Sequence, residues 1–80
     1  MKAQVRITLK PGILDPQGKA IEEALASLGF GNVASVRQGK TFDIELNETD
    51  EEKAELILAD MCEKLLANTV IEDYQVVTNG

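Results

Sequence analysis

Apolar residues in this chain recur first at every second position and then at helical spacing, and this change of period limits the fold more than any other feature. Ala3, Val5, Ile7 and Leu9 alternate with Lys2, Gln4, Arg6 and Thr8, the pattern of a strand with one buried face. Lys10-Pro11-Gly12-Ile13 ends that strand as a turn, proline fixing the first central φ and glycine accepting positive φ at the second. Asp15 is placed to cap a helix whose first residue is Pro16, where the missing N–H costs nothing. Ala20, Ile21, Ala24, Leu25 and Leu28 then follow at helical spacing, and Gly29 stands where a left-handed C-terminal cap belongs.

The second half repeats the alternation of periods. Residues 33–37 predict a weak strand, Phe42, Ile44 and Leu46 alternate with Thr41, Asp43 and Glu45, and Gln38-Gly39 predicts the hairpin turn between them. Thr49-Asp50-Glu51-Glu52 matches a capping box, and the acids Glu48, Asp50, Glu51 and Glu52 suit the positive end of a helix dipole. Ala54, Ile57, Leu58, Met61, Leu65 and Leu66 form the stripe of a second helix that stops near Asn68, and Tyr74, Val76 and Val77 predict a last strand after Glu72 and Asp73. The order is βαββαβ. An α+β two-layer sandwich, an antiparallel sheet with two helices on one face, buries both helical stripes and one face of every strand. The 80 residues make a single domain, 1–80, without repeat, linker or low-complexity tract; only Asn79 and Gly80 read as a frayed end.

Charge and composition narrow the function. Eight Lys plus Arg against 14 Asp plus Glu give a net charge of −6, which opposes the phosphate neutralisation behind nucleic-acid binding. Nucleic acid and anionic membrane are therefore poor partners. Histidine is absent, which removes the usual near-neutral proton shuttle, Ser-His-Asp and Cys-His arrangements, and His-containing zinc sites. Cys62 is the single cysteine, so no internal disulfide forms. No apolar run approaches the ~18 residues of a membrane span, and the first residues alternate instead of forming a signal-peptide core; a cytoplasmic protein is expected. A chain this short buries only about 60% of its unfolded surface, so an oligomer or a partner is expected too.

Each cluster with chemical potential has a plain structural counterpart. Gly12 and Gly18-Lys19 invite comparison with a phosphate-binding loop, but five residues separate the glycines where the motif has four. Ala20 replaces the magnesium-binding hydroxyl, Pro16 lacks a donor and Asp15 repels phosphate, which leaves a turn and a helix cap, with an anion held by Lys10 and Lys19 as the minor alternative. The carboxylates fall on polar faces and read as solvated surface, not as a proton-transfer pair. Arg37 and Lys40 flank the hairpin tip, either gripping an acidic partner or serving solubility. On the second helix, Ile57, Met61, Ala54, Leu65, Leu58, Cys62 and Leu66 fan over roughly 180°, wider than the ~100° stripe of an ordinary surface helix. Either the helix is deeply buried in its own fold, or the Cys62 and Leu66 edge meets a second subunit. In both cases Cys62 is a core or interface residue and no nucleophile.

Several motifs carry a family resemblance. Leu9-Lys10-Pro11-Gly12-Ile13-Leu14-Asp15-Pro16-Gln17-Gly18-Lys19-Ala20-Ile21, then Leu28-Gly29-Phe30, Val36-Arg37-Gln38-Gly39-Lys40, Cys62-Glu63-Lys64-Leu65-Leu66-Ala67-Asn68 and Val70-Ile71-Glu72-Asp73-Tyr74 resemble the PurS family, the small subunits of phosphoribosylformylglycinamidine synthase. The resemblance runs in order from about residue 5 to residue 76. Ile13 stands where the family often has Val, and Thr69 where many members have Pro after the asparagine.

The resemblance implies a subunit of a glutamine-dependent, ATP-using amidotransferase of de novo purine synthesis. That enzyme turns formylglycinamide ribonucleotide, glutamine and ATP into formylglycinamidine ribonucleotide, glutamate, ADP and phosphate. It implies that a large synthetase subunit performs the amidation with ATP and magnesium and that a glutaminase subunit releases ammonia. The small subunit, non-catalytic and without a cofactor of its own, joins the two, supports ammonia transfer, and self-associates as a homodimer or tetramer. Docking onto partners falls by this resemblance to Lys10, Pro11, Gly12, Asp15, Pro16, Gly18, Arg37, Gly39 and Lys40. Self-association falls to Cys62, Leu65, Leu66, Asn68, Val70 and Tyr74, through a terminal strand shared between subunits. Three other classes compete: a ligand-sensing βαββαβ module binding a small metabolite at a dimer interface, a stand-alone enzyme, which lacks its catalytic constellation, and an RNA-binding domain. The last has few aromatics to stack on, Phe30, Phe42 and Tyr74.

Overall fold

The computed structural model describes residues 1–79. Its elements are β1 (Lys2–Leu9), α1 (Pro16–Ser27), β2 (Lys40–Glu45), α2 (Glu51–Met61), continued by a π-helical turn (Cys62–Leu66), and β3 (Glu72–Asn79). Among the described residues the sheet has three strands in the order β2-β1-β3, antiparallel throughout. The cleanly alternating first segment is the central strand. Val5 lies opposite Phe42 and Val76, Ala3 opposite Ile44 and Thr78, and Ile7 opposite Lys40 and Tyr74. Ala3, Val5 and Ile7 are buried in one cluster with Leu58 and Cys62, while Lys2, Gln4, Arg6 and Thr8 face outward. Fully burying Val5, Ile7 and Leu58 contributes about 1.5–3 kcal/mol each.

The local backbone devices stand where the sequence puts them. Gly12 has φ +86° and Gly29 φ +98°, values that a side chain with a Cβ disfavours. Asp15 caps α1 with Pro16 at its first position.

Five features differ from the expectation. Residues 33–37 join no ladder; the Val36 N–H donates instead to the Glu22 carboxylate of α1 at 3.2 Å. The cap of α2 is Asp50, not Thr49: Asp50 Oδ1 accepts from the N–H groups of Glu52 (2.9 Å) and Lys53 (3.2 Å). Glu48 has already taken those of Thr49 and Asp50. After Met61 the helix widens, the Ala67 N–H reaching the Cys62 carbonyl at 3.0 Å. α-Helical spacing fails beyond that point, and Leu65 is 83% exposed. Asn79 is not frayed but pairs with Lys2 at the end of β3; Gly80 lies outside the described residues.

The fifth difference concerns the layers. α2 covers the sheet, whereas α1 is carried away from it, leaving Ile21 40% and Leu28 73% exposed. The chain is long, 48 × 25 × 14 Å, with a radius of gyration of 15.9 Å where a compact chain of this length has about 12 Å.

Candidate functional site

The candidate docking residues converge on the neck between the sheet and α1. The turn after β1 closes through Ile13 N–H to the Lys10 carbonyl at 3.1 Å, and the Lys10 N–H donates to the Ile71 carbonyl at 2.8 Å. Arg37 comes from the far side of the arm and donates to the Ile13 carbonyl (2.9 Å) and the Lys10 carbonyl (3.2 Å). Lys10 also forms an ion pair with Asp73 at 2.9 Å, tying the turn to β3.

Asp15 joins both halves of the neck. Its Oδ1 accepts from the Gly18 N–H at 2.9 Å and its Oδ2 from the Gln38 N–H at 2.7 Å. The backbone N–H groups of Gln38 and Gly18 hold the carboxyl below its ordinary value, against the opposing effect of burial and with help from Arg37. Gln38 reinforces the joint through its side-chain amide, which donates to Gln17. Two glycines let the backbones approach. A Cβ on Gly18 would lie 2.5 Å from the Val36 carbonyl oxygen, and one on Gly39 2.6 Å from that of Ile7.

This arrangement divides the predicted docking set. Pro11, Gly12, Pro16, Arg37, Gly39 and Lys40 are exposed and Lys10 is half-buried. Asp15 and Gly18 are buried by the chain itself, where they shape the neck. Lys40 extends over the Phe42 ring, 5.8 Å from its centroid.

The predicted self-association set is also divided. Cys62 is not on an edge: it is fully buried in the protomer's own core, against Val5, Ile7 and Leu58. Burial and the neighbouring Glu63 push its thiol up, the reverse of what a nucleophile needs. Leu66 is half-buried against the same core. Asn68 organises the turn into β3. Its carbonyl accepts from Ile71 and Glu72, its side-chain oxygen from the Val70 N–H, and its own N–H donates to the Glu72 carboxylate. Tyr74 is half-buried beside Ile7, and burial, then Glu63 and Cys62, push its phenol up. Leu65 and Val70 remain in the open.

Exposed apolar residues that sequence reasoning passed over include Leu14 and Leu56. Leu56 had a signal: it opens the run Leu56-Ile57-Leu58, and three consecutive helical residues point in three directions, so they cannot all face one sheet. Among the described residues no group of three metal-ligating side chains converges, and no helix is long and apolar enough to cross a membrane. The site is a hydrogen-bonded joint with apolar surface beyond it.

Comparison with known proteins gives this geometry a context. Residues 2–80 match a family model described as PurS: phosphoribosylformylglycinamidine (FGAM) synthase. The chain is 45% identical to the phosphoribosylformylglycinamidine synthase subunit PurS of Bacillus subtilis, covering 92% of this chain and 87% of that protein. It is 48% identical to the subunit of the same name in Methanocaldococcus jannaschii, over 94% of this chain and 90% of that one. Among solved structures, the M. jannaschii PurS crystal structure superposes with a TM-score of 0.87 at 49% identity, covering 95% of this chain and 92% of that one. A chain in the structure of PurLQS from Thermotoga maritima superposes with a TM-score of 0.87 at 33% identity, covering 95% and 93%.

Proposed function

We propose a role that proceeds from one fact: the chain belongs to the PurS family. It is the small subunit of phosphoribosylformylglycinamidine synthase in purine biosynthesis, and its work in that enzyme is contact. In this reading the large synthetase subunit carries ATP, magnesium and the amidation of formylglycinamide ribonucleotide. A glutaminase subunit releases the ammonia, and this chain, self-associated and cytoplasmic, holds the two in register so that ammonia passes between them without loss to water.

The observation that carries the reading is the neck. A buried carboxylate, an arginine bridging two carbonyls and two close-approach glycines fix the arm at a set place beside the sheet, an arrangement suited to presenting surface. The likeness to a chain of the T. maritima PurLQS structure supports the same view. Exposed Pro11, Pro16, Arg37 and Lys40 are the residues assigned to the partner subunits.

Copurification tests it. A tagged full-length chain drawn from native extract should retain the synthetase and glutaminase subunits, identified by mass spectrometry. Recovery of the chain with neither of them would contradict the proposal.

A further inference from the structure

Two strongly exposed apolar side chains lie in the short segment that joins α2 to β3, and each is put there by a specific backbone device. Leu65 follows Leu58 by seven residues, and α-helical spacing would set it within ~20° of that buried side chain. The π turn over Cys62–Leu66 breaks the spacing and delivers Leu65 to solvent; turns of this kind recur at functional sites. Val70, 81% exposed, stands in the turn between Asn68 and Glu72. That turn is pinned on both sides: the Asn68 carbonyl accepts from Ile71 and Glu72, the Asn68 side-chain oxygen from Val70, and the Ile71 carbonyl from Lys10. A β-branched side chain on so constrained a backbone loses little freedom when a partner covers it.

Beside this segment lies a notch lined by Lys10, Glu63, Thr69, Glu72, Asp73 and Tyr74. Lys10 and Asp73 cancel as an ion pair at 2.9 Å, and the adjoining Lys64 is spent on Asp60 at 2.9 Å. Glu63 and Glu72 form no ion pair among the described residues, so the notch keeps uncompensated negative charge. The field of Glu63 is felt locally: next to burial, it is the cause that pushes up both the Cys62 thiol and the Tyr74 phenol.

We infer that Leu65 and Val70, with the acidic notch of Glu63 and Glu72, receive a segment of a different subunit in which a lysine or arginine is flanked by aliphatic side chains. The inference rests on the assembly reading and adds to it a contact surface outside the α1 arm. Charge decides against a second copy as the occupant. A two-fold contact centred here would set Glu63 and Glu72 against their own counterparts, in a chain whose net charge is already −6. A basic side chain from another protein is instead drawn to the notch and leaves the two apolar anchors to be desolvated.

Binding of the full chain to an equimolar mixture of the purified synthetase and glutaminase subunits, followed by biolayer interferometry with glutamine, ATP and magnesium present, provides the test. Leu65→Ser with Val70→Ser should weaken binding by about tenfold or more. Glu63→Lys should weaken it too and lessen its dependence on salt. Leu56→Ser, an exposed apolar position on α2, should bind as the parent does. Leu65, Val70 and Glu63 are exposed, so circular dichroism and the mass of the chain alone should not change. Parent-like binding by the double variant or by Glu63→Lys overturns the inference while the assembly reading stands; a parent that does not bind the mixture overturns both. A variant that loses self-association would put a second copy on the patch and likewise overturns the inference. Should the double variant not fold, Glu63→Lys decides alone.

Discussion

Replacing Gly18 by alanine should destabilise the protein, against the usual effect of Gly→Ala in a helix. Alanine in a helix interior is favoured over glycine by up to about 1 kcal/mol. At Gly18, however, the new Cβ would stand 2.5 Å from the Val36 carbonyl oxygen and 2.6 Å from Asp15 Oδ2. Ordinary contact begins at 3.4 Å, so the residue 36 backbone must retreat by about 0.9 Å. The second clash strikes the oxygen that holds the Gln38 N–H. Overpacking costs about 1–3 kcal/mol, and two contacts this short put Gly18 at the upper part of that range, about 2–3 kcal/mol, so that after a helical gain of about 1 kcal/mol the net loss is about 1–2 kcal/mol. Each kcal/mol shifts Tm by roughly 4–8 °C in a domain this small. The assay is urea and thermal unfolding by circular dichroism at one fixed protein concentration, because self-association couples stability to concentration. Gly31→Ala, whose Cβ would meet nothing within 4 Å, is the control and should be near neutral. A Gly18→Ala protein as stable as its parent would refute the account of the neck.

Three further outcomes follow from the geometry. Leu58→Ala removes a fully buried side chain and should cost about 2–5 kcal/mol, read as a lower urea midpoint with the slope unchanged. Asp15 has a lowered folded pKa, so its contribution is complete above the unfolded value of 3.8 and is lost as pH falls through the folded value. Stability of the parent should therefore drop on acidification below that range, and Asp15→Asn should flatten this part of the profile; an unchanged acid slope would count against the joint. Cys62, buried and with its thiol pushed up, should resist a thiol reagent at pH 8 until denaturant is added, and rapid stoichiometric labelling of the folded chain would contradict its placement in the core.

The sequence is most legible where the backbone itself sets the rule. Gly12, Asp15-Pro16 and Gly29 were readable because turn and cap geometry depends on a few adjacent residues, and β1 because its alternation is unbroken. Residues 33–37 form no strand because the Val36 N–H is claimed by Glu22 and the adjoining Gln38 N–H by Asp15, partners distant in sequence. At α2 the cap moved by one residue: Glu48 takes the Thr49 N–H that the reciprocal half of a capping box needs, and Asp50 accepts from Glu52 and Lys53 in place of Thr49. The broad apolar fan assumed α-helical spacing through Leu66, but the π turn breaks that spacing after Met61, and which part of α2 faces inward depends on its lean towards β3; neither feature has a local signature. The outward arm was missed for a different reason: an apolar helical stripe was assumed to be buried by its own chain. The docking set rested on the family resemblance, which groups residues by motif and carries no information on burial, so it could not say that Asp15 and Gly18 face inward.

The claim that this chain contributes contact and no covalent step is tested most directly by reconstituting the synthase from purified subunits. Formylglycinamidine ribonucleotide formation is measured with glutamine, and separately with ammonia, in the presence and absence of this chain. Omission should depress the glutamine-dependent rate strongly and the ammonia-dependent rate much less, since only the first needs the subunits held together. A full glutamine-dependent rate without the chain would contradict the account.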